Sequence, residues 1–387
     1  MLQVRLASYG AAYFFVAGIG LSYWSVWLQS RGVDAAEIGT LYMSRQFVTV
    51  AATLAAGWLA HRLARQRPLM LALAIVATAT LVALEWAWGF WPLWVATLVW
   101  GAAWHPLLSL GESAVVTATR QHALDYGRIR IWGSVTFIAG ALAAGFAVAG
   151  AGVPWVLYLS ILGALLLIPC ILWLPMPQRD APPGEPQRRP VAARHLLRQP
   201  AFLLFLAAVG CTQTAHAVLY SFGTIGWRAA GIADGTISIL WAEGIVAEIV
   251  LFFFSAAATA RLGVTGMLLL GAFGSVIRWL LMPVFGDWLP ALVVLQALHA
   301  LTFGATHLAA MGFLQRAVPA SAMTLAQSLY YGLASGLPMA LVYQAAGVLW
   351  ERFGANAYFA MAALSALGLM AAVALARRWN GQSLLTE

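Results

Sequence analysis

Residues Ser22 to Leu41 read SYWSVWLQSRGVDAAEIGTL, and 199 positions later Ser221 to Leu240 read SFGTIGWRAAGIADGTISIL. Ser22 aligns with Ser221, Tyr23 with Phe222, Val26 with Ile225 and Gly32 with Gly231. Further on, Val33 aligns with Ile232, Ile38 with Ile237 and Leu41 with Leu240. The match is weak position by position, but both copies describe one helix–turn–helix. A unit repeated at this distance divides the chain into two related halves.

The surroundings of these two stretches decide the solvent. The chain has 387 residues, 62% hydrophobic and 9% charged, with a mean hydropathy of +0.83. A soluble protein of this length carries about a quarter charged residues. So much apolar surface requires lipid, and inside a bilayer only helices or closed barrels satisfy the backbone. Barrel strands alternate apolar and polar side chains over about ten positions. Here the apolar runs are continuous and about twenty residues long, the length a spanning helix needs. Twelve are expected, near 7–29, 38–60, 68–87, 91–118, 129–150, 154–175, 201–227, 236–259, 264–285, 288–315, 321–349 and 355–377. The N-terminal MLQVRLASYG lacks a small-residue cleavage site and reads as the start of a retained helix. Cys170 and Cys211 fall inside apolar runs and read as small core residues, with no disulfide framework.

Arginine sets the orientation. All 21 basic residues other than histidine are Arg. With the N-terminus in the cytoplasm, sixteen of them lie inside, only Arg31, Arg228 and Arg352 lie outside, and Arg45 and Arg278 sit within spans. The positive-inside rule therefore puts both termini in the cytoplasm. The net charge of +8 reflects this bias and gives no support for nucleic-acid binding.

Met176 to Pro200, MPQRDAPPGEPQRRPVAARHLLRQP, is rich in Pro and Arg and lacks apolar periodicity, as a solvated linker does. It separates a six-helix bundle at 1–175 from a second at 201–387. Two six-helix repeats about an axis along the membrane normal are the plan of the major facilitator transporters. Gly57 to Pro68, GWLAHRLARQRP, resembles that superfamily's signature loop and keeps Gly57, Arg62 and Arg65. It departs at His61, where an acid is expected, and at Ala64. The corresponding loop of the second half keeps Arg261 and Gly263. Gly57, Arg62, Arg65 and, at the start of the fifth span, Arg128 are gating candidates.

Ionisable residues inside spans cost about 2.5–3.5 kcal/mol each at the centre of a span, so they read as functional candidates. Glu112 falls in span four, Glu243 and Glu248 in span eight, and Arg278 in span nine. Glu248 and Glu243 are about 18 and 10 Å below the outer end of their span at about 1.5 Å per residue. Glu248 is thus the most central acid. A buried Arg needs an acidic partner, and either Glu243 or Glu248 can supply it to Arg278. Glu112 lies near Arg128 and Arg130, as a gate, a substrate contact or an interfacial ion pair. Spans one, four, seven and ten line the cavity in the facilitator plan. On span seven, Gln213, His216 and Tyr220 share one helical face. On span ten, LQALHALTFGATHLAAM (Leu295 to Met311) carries His299, Phe303 and His307. The two histidines differ by about 80° in rotation, so both can border one cavity. A core histidine bonded to a carbonyl is the alternative for either. Tyr23 on span one completes the substrate candidates. Glu248, Arg278, His299 and Glu243 are the proton-coupling candidates.

Other chemistry is thin. No Gly-rich loop follows a strand, no Ser-His-Asp order appears, and His299 and His307 are too far apart for a good metal pair. Neither enzyme activity nor a cofactor or metal is expected.

LQALHALTFGATHLAAM resembles the tenth helix of the phenylpropionate permease family, relatives of the lactose permease and the nucleoside:proton symporters. DYGRIRIWGSVTFI (Asp125 to Ile138), WAEGIVAEIVLFFFS (Trp241 to Ser255), SYWSVWLQSRGVDAAEIGTL and QTAHAVLYSF are similar to other parts of that family. The resemblance covers essentially the whole chain. It implies a monomeric secondary transporter of the bacterial inner membrane that imports a small organic solute with protons. An aromatic carboxylate such as phenylpropionate is the expected solute. A sugar or nucleoside symporter is the alternative, favoured if the cavity lacks a free cation to meet a carboxylate. Lactose permease couples protons through a carboxylate, a histidine and an arginine on its ninth and tenth helices. Arg278 and His299 match two of these roles. With no acid on helix ten, the carboxylate role falls to Glu248.

Overall fold

The computed structural model of the chain describes residues 1–63, 66–176, 193–319 and 322–385. The linker residues 177–192 and the gating candidate Arg65 lie outside the described residues. Among the described residues there are helices and turns and no strand. The elements are α1 (Leu2–Ser30), α2 (Ala35–Leu63), α3 (Gln66–Ala83), α4 (Phe90–Gln121), α5 (Tyr126–Ala151) and α6 (Trp155–Trp173). A short α7 (Ala193–Leu197) precedes α8 (Pro200–Thr214), α9 (Ala217–Ala229), α10 (Asp234–Phe253) and α11 (Ser255–Phe285). Then come α12 (Leu289–Ala297), α13 (Thr306–Ala317), α14 (Met323–Leu329), α15 (Leu337–Phe353) and α16 (Ala357–Arg378).

Among the described residues, ten helical stretches are long and apolar enough to cross a membrane. They include Pro200–Ala229, which joins α8 and α9, and a 56-residue stretch at Met323–Arg378. The latter turns at Gly354, where φ is +54°, so that it contains two helices of spanning length. Helix α2, 29 residues long, is not among the ten. Its length suffices, but Ser44, Arg45, Gln46 and Thr49 dilute its apolar character. The α11 stretch is broken at Gly263 (φ +66°), so its first turns form a separate short helix.

The repeated stretches fold alike. Gly32 and Gly231 occupy the left-handed region at φ +86° and +82°. Gly32 N donates to Gln29 O and Gly231 N to Arg228 O, the same capping bond 199 residues apart. Only glycine takes such a φ without a Cβ penalty. The next helix opens equivalently in each copy, with Ile38 N bonded to Asp34 O and Ile237 N to Ala233 O.

The chain forms two compact units, Met1–Ala181 with Tyr220–Ala242, and Pro182–Leu219 with Glu243–Glu387. In the first, α1 and α5 touch through their backbones. A Cβ on Gly18 would stand 2.1 Å from Phe137 O, and one on Gly140 would stand 2.1 Å from Phe15 O. Small residues at a helix crossing replace the hydrophobic drive that lipid cannot give. In the second, Phe205 of α8 stacks on Phe313 of α13 at 4.2 Å, and Trp379 packs on Phe313 at 4.6 Å.

Candidate functional site

Two of the predicted histidines sit where helices are interrupted. The α8–α9 stretch breaks at Ala215 and His216, and the His216 ring turns back so that Nδ1 meets the carbonyl of Gln213 at 3.0 Å. In the tenth predicted span, α12 ends at Ala297, and residues Ala300–Ala305 form a π-helix directly after His299. Single-turn π segments are frequent at functional sites because they free backbone groups and re-aim side chains.

These breaks assemble a connected polar line inside the second unit. His216 Nε2 is 2.9 Å from Thr302 Oγ1, and Arg278 Nη1 donates to the same hydroxyl at 3.0 Å. Arg278 Nη2 donates to Gln296 Oε1 at 2.6 Å. A carbonyl can only accept, so the Gln213 contact places the His216 proton on Nδ1. Nε2 then accepts from Thr302, whose oxygen accepts from Arg278. His216 and Arg278 are completely buried. The Arg278 guanidinium also lies 4.7 Å from the Trp279 ring, which stacks on Tyr358 at 5.7 Å.

Beside this line stands a second pair. His299 Nε2 lies 3.5 Å from Glu248 Oε2. The His299 ring meets the His216 ring edge-on at 5.7 Å and stacks on Phe303 at 5.2 Å. Phe303 in turn stacks on His307 at 6.2 Å, and Gln213 Nε2 reaches the Phe303 carbonyl at 3.5 Å. Glu243, five residues before Glu248 on α10, lies within electrostatic reach of Arg278. Gln213, His216, Glu243, Glu248, Arg278, His299, Phe303 and His307 are therefore brought together in one region.

The remaining candidates lie elsewhere. Tyr23 is fully buried in the first unit, and its hydroxyl donates to the main-chain carbonyl of Asp234 at 2.6 Å. Asp234 also pairs with Arg228 at 3.0 Å. Nearby, Thr224 Oγ1 donates to Ser22 O and accepts from Trp241 Nε1. Tyr220 packs against Trp241. Glu112 accepts a hydrogen bond from Tyr126, beside Tyr9 and Arg130. Arg128 is exposed at the start of α5 and pairs with the helix-capping Asp125 at 3.5 Å. Gly57 is exposed, and Arg62 lies over the Trp58 ring. Thr302, Gln296 and Trp279 were not among the sequence candidates. A threonine or glutamine in an apolar helix carries little signal until its neighbour is known.

Apolar helices with a buried arginine, two histidines and an acid in one polar cluster define a polytopic membrane protein with a polar centre. The MFS_1 like family matches residues 6–361, and the chain belongs to it. It is 34% identical over 357 residues, 90% of this chain and 92% of the relative, to the "Probable 3-phenylpropionic acid transporter" of Escherichia coli (strain K12). It is 26% identical over 381 residues to the "Maltose permease" of Geobacillus stearothermophilus, covering 94% of this chain and 92% of that protein. The fold matches the crystal structure of the nucleoside transporter NupG with a TM-score of 0.80 at 17% identity, over 98% of this chain and 100% of that one. An auto-inhibited peptide transporter of the POT family matches with a TM-score of 0.74 at 14% identity, over 98% and 97%. The protein is a major facilitator transporter.

Proposed function

We propose that the protein is a proton-coupled symporter that imports a small aromatic carboxylate across the bacterial inner membrane, with 3-phenylpropionate as the first solute to test. The observation that carries this reading is the Glu248–His299 pair at 3.5 Å beside the fully buried Arg278 line. A carboxylate and an imidazole in contact exchange a proton with little movement, and a neighbouring fixed cation makes the occupied and empty proton states differ in energy. Glu248 carries the proton, His299 reports its state to the solute, and Glu243 with Arg278 sets the local field. Gln213, His216, Tyr220, Phe303, His307, Glu112 and Tyr23 serve solute binding, and Gly57, Arg62, Arg65 and Arg128 serve gating. The chain crosses the membrane twelve times as a monomer with both termini cytoplasmic, in two six-helix halves, 1–175 and 201–387, joined by a linker at 176–200. The relative of Escherichia coli supports the solute class. The maltose permease relative favours a second reading, a proton-coupled sugar or nucleoside symporter in the same fold.

Reconstituted protein decides between them. In proteoliposomes with an imposed inward proton gradient, labelled 3-phenylpropionate should accumulate above equilibrium, and a protonophore should abolish the accumulation. Gradient-driven accumulation of maltose or a nucleoside, without 3-phenylpropionate uptake, would establish the second reading instead.

A further inference from the structure

The first unit holds an arginine that the proton-coupling cluster does not use. Arg45 lies in the middle of α2, and among the described residues it makes no hydrogen bond and no ion pair. Its guanidinium carbon sits 4.6 Å from the Tyr42 ring, and its Nε is buried without a hydrogen-bond partner. Tyr13 and His105 are within its electrostatic reach. A charge held in an apolar helix is normally paired. The face of an aromatic ring attracts the cation but leaves its N–H donors unused.

The neighbouring helix is shaped around this side chain. Gly101 of α4 faces Arg45, and a Cβ there would come within 2.9 Å of Arg45 Cγ and 3.6 Å of Thr49 Oγ1. Thr49 Oγ1 and Trp100 Nε1 are also buried without a partner, as is Thr97 Oγ1 one turn before Gly101. Arg45 and Thr49 are four apart on α2, and Thr97, Trp100, Gly101 and Trp104 recur at helical spacing on one side of α4. A buried indole N–H ordinarily finds an acceptor. Among the described residues, the Arg45 Nε–H, the Thr49 hydroxyl and the Trp100 indole N–H are thus left to donate. Alongside runs a ladder of near-parallel rings: Tyr13 on Trp104 at 5.0 Å, Trp104 on Trp100 at 6.1 Å, and Trp100 on Trp24 at 5.9 Å.

We propose that Arg45, with Thr49 and Trp100, is the anchor for the carboxylate of an arylalkanoate solute, and that the Tyr13–Trp104–Trp100 ladder receives its ring. Unused donors fit an acceptor with several lone pairs, and the planar guanidinium fork matches a carboxylate. A neutral sugar or nucleoside has no group that needs a lone cation. The aromatic wall selects a flat apolar body joined to that carboxylate by a short chain. The inference rests on the aromatic-carboxylate reading above and assigns it a position.

Equilibrium binding to purified full-length protein tests it, with 3-phenylpropionate and its neutral amide as probes and size-exclusion chromatography as the check on folding. Wild type should bind the acid at least tenfold more tightly than the amide. Arg45→Gln should lower acid affinity at least tenfold and leave amide affinity unchanged. Arg45→Lys should fall between, and Gly101→Ala, which displaces the arginine stem, should weaken the acid selectively. Wild-type acid affinity in Arg45→Gln overturns the assignment while leaving the transport reading intact. So does loss of both probes by the Gln and Lys variants alike, which identifies a structural arginine. Wild type that binds neither probe but binds maltose or a nucleoside sinks the solute class, and this site with it.

Discussion

Glu248 and His299 touch each other, whereas His216 is committed to Thr302 and Gln213. The two histidines are therefore not equivalent. A second proton on His216 would take away the acceptor that the Thr302 hydroxyl now donates to, and Thr302 would then accept from both His216 and Arg278. His299 has a carboxylate at its Nε2 and no such conflict. Glu248→Gln should abolish gradient-driven accumulation yet preserve solute exchange across the membrane. Wild-type accumulation by the Gln variant would remove Glu248 from the coupling role. His299→Ala should weaken solute binding at least tenfold, about 1.4 kcal/mol, while His307→Ala should change the transport rate with little effect on affinity. Unchanged binding by His299→Ala would count against its contact with solute. Thr302→Val leaves two buried partners short of a bond and should destabilise by about 1–3 kcal/mol, read as a lower thermal midpoint. A midpoint equal to wild type would mean that the polar line adds nothing to stability. The identity of these groups was legible in the sequence because ionisable residues stand out in an apolar helix. Their pairing was not. Arg278 was expected to meet an acid, and Glu243 lies within its electrostatic reach, but no residue pattern announced that its terminal nitrogens also donate to Thr302 and Gln296 or that Glu248 lies against His299.

Among the helices, the repeat at Ser22 and Ser221 carried the most information, since a positive-φ glycine, its capping bond and the next helix start all recur. What stayed hidden were the interruptions at 215–216, at Ala300–Ala305 and at the second π-helix, Tyr330–Gly336. No residue pattern announces a π segment. It follows from which side chains the helix has to aim inward. Close packing was equally silent, because Gly18 and Gly140 read only as small residues until α1 and α5 are side by side. Gly18→Val has no room, since the first added carbon already overlaps the Phe137 carbonyl at 2.1 Å. The crossing must widen, at a cost of about 1–3 kcal/mol or more. Gly20→Val, on the same helix with nothing within 4 Å of its Cβ, should be tolerated. Thermal midpoints of the two variants in detergent check this, and equal midpoints would refute the backbone contact.

The orientation of the chain in the membrane depends on α2. Its 29 residues can span, yet among the described residues it is the long helix missing from the ten apolar enough to cross by composition. If α2 did not cross, every later segment would be inverted. The loops at 120–130 and 194–198 and the end at 377–378 would then face outward with their arginines, against the positive-inside rule. Arg45 is a main reason α2 is weakly apolar, and the solute-binding role proposed for it would give a helix of spanning length a reason to carry that cost. Insertion of α2 and the function of Arg45 are thus linked. Reporter fusions after His122 and after Arg378 should be active only as cytoplasmic reporters, and fusions after Trp88 and after Gly152 only as external ones. Arg45→Leu, which makes α2 more apolar, should leave this pattern unchanged and raise the amount inserted while acid transport is lost. An external reporter at His122 in wild type would mean that α2 lies outside the bilayer. The twelve-span arrangement and the Arg45 site would then both fall.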